Sequence, residues 1–181
     1  MKLHRIWIFC LLLAAGCIVH GQVHQTTVSV GNTTTPCTPV LAREMTSPSC
    51  FLVHSLELDA SSSPTSPAAV TVEITKDMNG ISTTLFMDML EGKSIPKLVI
   101  TTYFTLANQD NTLFAVYKLE LDNVYVTHEG SSESLGGSLP AETIDFAFQK
   151  LAVTYFQTAT DSSVLTSTGT LTYDVQTHQI L

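Results

Sequence analysis

Glu142-Thr143-Ile144-Asp145-Phe146-Ala147-Phe148-Gln149-Lys150-Leu151-Ala152-Val153-Thr154-Tyr155 is the stretch on which the fold turns. Ile144, Phe146 and Phe148 alternate in one phase; Leu151, Val153 and Tyr155 alternate in the other. Successive side chains on a strand point to opposite faces, so each half is a strand with one face in a core. The change of phase predicts a β-bulge between Phe148 and Leu151, which would return the apolar side chains to the same face.

The same period extends in both directions. Upstream, beyond the Gly130–Gly137 loop, Leu113 to Thr127 reads as a long strand with Tyr117, Leu119, Leu121 and Tyr125 opposite Lys118, Glu120 and Asp122. Leu98, Ile100, Thr102, Phe104 and Leu106 form one face of the strand before it. Asn108-Gln109-Asp110-Asn111 between them is turn chemistry and predicts an antiparallel hairpin. Downstream, Leu165 to Val175 closes the chain as a last strand.

Further back, Ser82 can cap a helix, Ile81, Leu85 and Met89 recur four apart with Phe86 and Leu90 beside them, and Gly92 stands where a C-terminal cap belongs. At about three turns it cannot hold itself together alone and must lie on a sheet. Val70, Val72 and Ile74 make a strand before the helix, and Phe51 to Asp59 another. Ser61-Ser62-Ser63-Pro64-Thr65-Ser66-Pro67 between them predicts a loop, because proline cannot donate to a central ladder. The fold class expected is mainly β: an antiparallel β-barrel or sandwich of about six or more strands with one short flanking α-helix.

The chain has 181 residues, 8 Lys+Arg against 16 Asp+Glu, net charge −8, and 13% charged beside 44% hydrophobic residues. Lys2 and Arg5 are the only charges among the first twenty-one residues, so removing these would leave 6 basic against 16 acidic residues, net −10. This balance argues against a nucleic-acid partner held through its phosphates. Met1 to Arg5 followed by the apolar run Ile6 to Val19, with a small Gly21 before Gln22, is the pattern of a signal peptide. The expected organisation is a signal peptide at 1–21, a Thr/Ser/Pro-rich arm at 22–50 with at most a short strand at Thr26–Val30, and a β domain at 51–181. The mature chain is expected to be secreted or periplasmic, with no transmembrane span left. Leu13-Ala14-Ala15-Gly16-Cys17 offers an alternative, a lipoprotein box that would lipidate Cys17.

Cys37 and Cys50 remain in the arm. In an oxidising compartment a bridge between them would stabilise by roughly 3 kcal/mol in the chain-entropy model; two unpaired buried thiols are the alternative. Neither cysteine belongs to a Cys-x-x-Cys pair, and His24, His54, His128 and His178 are scattered, so no metal site is expected. Asn32-Thr33-Thr34 matches a glycosylation acceptor, a tripeptide frequent by chance.

No nucleophile elbow, zinc-protease helix, phosphate loop or dinucleotide fingerprint occurs. Glu120 and Asp122 share a strand face but read as solvated surface, and His128 beside Glu129 as an exposed strand end. Phe146, Phe148, Tyr155 and Phe156 could line a carbohydrate site; at strand spacing they read mostly as core. No catalytic residue and no cofactor is expected. A secreted adhesion or glycan-binding β-module is the alternative that the Thr-rich surface supports.

The order of elements is itself distinctive: Val72-Glu73-Ile74-Thr75-Lys76-Asp77, a helix at Ser82 to Leu90, Lys97-Leu98-Val99-Ile100, the Tyr117 to Val126 strand, and the Glu142 to Tyr155 segment. Over Phe51 to Gln179 this resembles the type VI secretion tube family, the haemolysin-coregulated proteins or Hcp. The resemblance implies a small β-barrel that assembles into homo-hexameric rings and stacks into a secreted tube whose lumen accommodates effectors. It implies partners that are other copies of the chain, effector proteins or other secretion components, and no chemistry. By order, Ser61, Ser62, Ser63, Pro64, Thr65, Ser66 and Pro67 occupy the place of the family's ring-stacking loop, here expected to be short. No counterpart of the family's N-terminal strand is read before Phe51.

Overall fold

The computed structural model describes residues 24–31, 37, 49–63, 66–105, 113–132, 140–158 and 165–181. The leader with Cys17, the Asn32 tripeptide, Pro64 and Thr65, the 108–111 turn and the 133–137 loop lie outside them. Ten strands and one helix are described: β1 (His24–Val30), β2 (Cys50–Val53), β3 (Ser55–Ser63), β4 (Ser66–Asp77), α1 (Ser82–Glu91), β5 (Ile95–Thr105), β6 (Leu113–Ser132), β7 (Ala141–Ala147), β8 (Lys150–Thr158), β9 (Leu165–Asp174) and β10 (Gln179–Ile180).

Every pairing is antiparallel. One sheet runs β10-β9-β8-β6-β5-β1-β2; a second is built from β3, β4, β7 and the far half of β6. Of the barrel and sandwich alternatives, the open form holds, a sandwich-like pair of sheets rather than a closed barrel. The inward rows are apolar across their whole width. Val28, Ile100, Leu119 and Val153 stand opposite one another in the first sheet, and Val72 with Phe146 and Ile74 with Ile144 in the second. Together with Phe51, Leu85, Leu98 and Leu121 they form one continuous core.

The hairpin expected from 108–111 is present as the β5–β6 pairing. Four other expectations are corrected. The arm is not loose at its start: β1 pairs with β5 on one side and β2 on the other, and Val28 is fully buried, so the first sheet does include a strand before Phe51. Its polar residues concealed this, since Thr27 and Ser29 are buried too.

The phase change at Phe148 is a corner, not a bulge within one strand. β7 ends at Ala147, β8 begins at Lys150, and the two belong to different sheets. β6 turns the same corner at Asn123, whose φ of 51° is a left-handed conformation that asparagine tolerates better than most residues. Asn123 Nδ2 donates to Gln149 Oε1 at 2.8 Å, and the Gln149 N–H to the Asp122 carbonyl at 3.0 Å. The turn at Asn123 also reverses the phase of β6, so Val124 and Val126 are buried whereas Tyr125, expected inside, is exposed.

Of the residues expected as the Ser61–Pro67 loop, Ser61 to Ser63 and Ser66 to Pro67 are strand. β3 and β4 continue as a two-stranded arm with Ser63 opposite Ser66 and an irregularity between Ser61 and Ser63. Pro67 is accommodated because β4 pairs with β7 only from Val72 onward, so here one of its edges needs no donor.

Finally, Ser82 does not cap α1. The N-cap is Ile81, and the preceding turn is closed by Asn79, whose carbonyl accepts from the Ser82 N–H at 3.1 Å and whose Oδ1 accepts from the Ile81 N–H at 3.1 Å. Gly92 closes the other end as expected, left-handed at φ 63°, with Lys93 N–H on the Asp88 carbonyl. Leu85 enters the core with Ile81 and Met89 beside it, but Phe86 and Leu90 point away.

Candidate functional site

The expected chemical candidates are dispersed. Glu120 and Asp122 lie on the outer face of the first sheet, alternating with the buried Leu119 and Leu121, where lysines occupy them. Lys97 Nζ is 3.1 Å from Glu120 and 3.3 Å from Asp122, and Lys118 pairs with Glu120. Burial pushes the Glu120 carboxyl up, but hydrogen bonds from Lys118 and Lys97 outweigh it and hold the group below its ordinary value. The hydrogen bond to Glu120 in turn raises Lys97. This is a neutralised surface ladder, with no carboxyl left over as acid or base.

His128 lies across from Asp145 on the outer face of the second sheet. Among the described residues no group of three or more His, Cys, Asp or Glu could hold a metal ion. Of the four aromatics, Phe146 and Phe148 are buried, and Tyr155 is exposed beside Tyr117 at 5.0 Å between ring centroids. Desolvation, reinforced by Tyr155, pushes the Tyr117 hydroxyl up to about 12. Cys37 and Cys50 are bonded, with 5.9 Å between their Cα atoms. Cys37 is buried, and its carbonyl accepts a 2.9 Å hydrogen bond from Thr27 Oγ1, which ties it to the outer face of β1.

A buried polar cluster escaped the sequence reading. Lys76 on β4 and Glu142 on β7 form an ion pair with neither side chain exposed. Lys76 Nζ also donates to Ser82 Oγ at 2.9 Å, Asn79 Oδ1 at 3.0 Å and the Asp77 carbonyl at 3.0 Å, and lies 5.2 Å from the centre of the Phe51 ring. Ser82 Oγ donates to Glu142 Oε1 at 2.8 Å. These bonds fasten the first turn of α1 to both central strands of the second sheet. A signal was available, since Lys76 continues the inward phase of Val72 and Ile74, and Glu142 that of Ile144 and Phe146. Two opposite charges on the buried phase of neighbouring strands must find each other.

Among the described residues the exposed large apolar side chains fall on two surfaces, apart from Tyr125 on the second sheet. Met78, Phe86, Met87 and Leu90 are exposed on and before α1, and Leu90 keeps 64% of its surface. Tyr155, Leu171, Ile180 and Leu181 are exposed along β8, β9 and the C-terminus, where β10 covers β9 only at Tyr173 and Asp174. The β3–β4 pairing continues beyond the point, Val72, at which β4 begins to pair with β7.

The model of the family described as type VI secretion system effector, Hcp, matches residues 53–155, more than half of the chain. No curated protein matches. Among solved structures, a type six secretion system protein superposes with a TM-score of 0.68 at 19% identity, over 88% of this chain and 100% of that one. Hcp1 from Salmonella typhimurium gives 0.61 at 14% identity, over 87% and 99%. The secreted protein Hcp3 from Pseudomonas aeruginosa gives 0.60 at 18% identity, over 84% and 98%. These likenesses establish the fold, and with the family model over both sheets and the helix between them they make the chain a member of the Hcp family of type VI secretion.

Proposed function

We propose that this Hcp protein works as a ring: copies associate head to tail through the α1 surface of one and the β8–β10 surface of the next, and close as a hexamer. Membership of the family makes it a structural tube component or effector-like protein of type VI secretion. The observation that carries the ring is that the exposed apolar residues, Tyr125 apart, gather on two different surfaces. Unlike patches joined repeatedly give a closed ring when the rotation closes, and an open filament when it does not. Ring contacts, not catalysis, are then the activity, with effector proteins or other secretion components as further partners.

The β3–β4 arm, Ser61 to Pro67, then makes the contact between stacked rings. The leader delivers the mature chain from Gln22 onward outside the cytoplasm, an oxidising setting suited to a Cys37–Cys50 bond. Among the described residues no helix is long and apolar enough to cross a membrane.

Sedimentation tests the reading. The mature chain should sediment as a hexamer, and the double variant Phe86→Glu/Leu90→Glu as a folded monomer, because carboxylates in a desolvated contact oppose it. A variant that still sediments as the hexamer would remove α1 from the interface.

A further inference from the structure

We infer that Glu129 and Glu142 hold a single proton between them, and that this inward-facing pair makes the fold tighter in acid than in alkali. The register irregularity between Val126 and His128 sets up the site. It reverses the phase of β6, leaving His128 on the outer face opposite Asp145 and turning Glu129 inward beside Ile144. The neighbouring inward position of β7 is Glu142. Glu129 Oε2 and Glu142 Oε2 are both buried and have no hydrogen-bond partner. Two ionised carboxylates offer no donor; one proton shared between them satisfies both oxygens.

The surrounding charges point the same way. From β4 only Lys76 faces the pair, from α1 the neutral Ser82, and from β2 the ring of Phe51. Asp77 on β4 is engaged with His54 at the surface, 2.7 Å away. One ammonium thus faces two carboxyl groups, and a single proton balances the set. Burial pushes the Glu129 carboxyl above its ordinary value, the Glu142 charge pushes it further, and Lys76 only partly opposes them. A carboxyl raised in the folded state binds protons more tightly there than in the unfolded chain. Stability is therefore fullest in acid and falls as pH rises from the ordinary value near 4.5 through the folded one. Because Glu142 also holds Ser82, the loss is felt at the seat of α1.

The test joins a carboxyl-carbon NMR titration of the intact mature chain to melting curves from about pH 5 to about pH 9. The Glu129 carboxyl carbon should titrate above the ordinary carboxyl value. The melting temperature of the wild type should fall by about 2–4 °C or more over that range. Glu129→Gln, whose amide donates permanently to Glu142, should remove that fall. A Glu129 carbon that titrates near the ordinary value, or a fall that persists unchanged in Glu129→Gln, overturns the inference. If the variant does not fold, the wild-type titration alone decides.

Discussion

Lys76 and Glu142 are the two charged side chains, among the described residues, that the fold has removed from water altogether, and the cost is offset by their pairing and by Ser82, Asn79, the Asp77 carbonyl and the Phe51 ring, with only Glu142 Oε2 lacking a hydrogen-bond partner. Removing one partner leaves a buried charge uncompensated. Lys76→Met or Glu142→Gln should each cost about 3–5 kcal/mol, read as a melting temperature lower by about 10 °C. Lys76→Met combined with Glu142→Leu should recover much of the loss; a double variant as unstable as the sum of the singles would contradict this account of the pair. The surface ladder titrates with the opposite sign to Glu129. Glu120 is held below its ordinary value in the folded state, so its contribution is present at neutral pH and lost as pH falls below about 4.5. Glu120→Gln should flatten that acid limb of the melting profile, and an unaltered limb would show that the lysines do not hold it.

At the scale of elements, what the sequence disclosed follows from how completely a strand's environment imposes a period. β3, β4, β5, β7 and β8 were legible because one face is core and the other wet. β1 was legible as a short strand, Thr26–Val30, but not as part of the sheet, because it is central, with Thr27 and Ser29 buried on its second face, and its composition imitates a linker. The corner at Asn123 and Gln149 was half legible: the phase change marked the place, but a bulge and a change of sheet write the same pattern in one strand. Only the partner strand, bent at the same level, distinguishes them. In α1 the four-residue repeat found Leu85 with Ile81 and Met89 beside it, and only the flanking Phe86 and Leu90 were overcounted, because a helix laid on a sheet buries a narrow stripe. Leu85→Ala should therefore cost about 2–5 kcal/mol in a denaturant melt. Leu90→Ser should alter that melt by no more than about 0.5 kcal/mol if the chain is held monomeric. A large effect of Leu90→Ser on the isolated subunit would mean that it belongs to the core after all.

For the whole molecule, the chemical candidates read from the sequence are dispersed: Glu120 and Asp122 lie on the outer face of the first sheet, His128 on that of the second, and Phe146 and Phe148 are buried. The surfaces that take their place were harder to read, because an exposed apolar residue on an amphipathic helix has the same sequence signature as a buried one. Phe86 and Leu90 became visible as surface only once the sheet beneath α1 was known. We propose that these surfaces join copies of the chain into a ring. Negative-stain electron microscopy of purified residues 22–181 is the sharpest test. Class averages should show uniform six-membered rings with an open centre, whereas single subunits persisting at high protein concentration would contradict the ring.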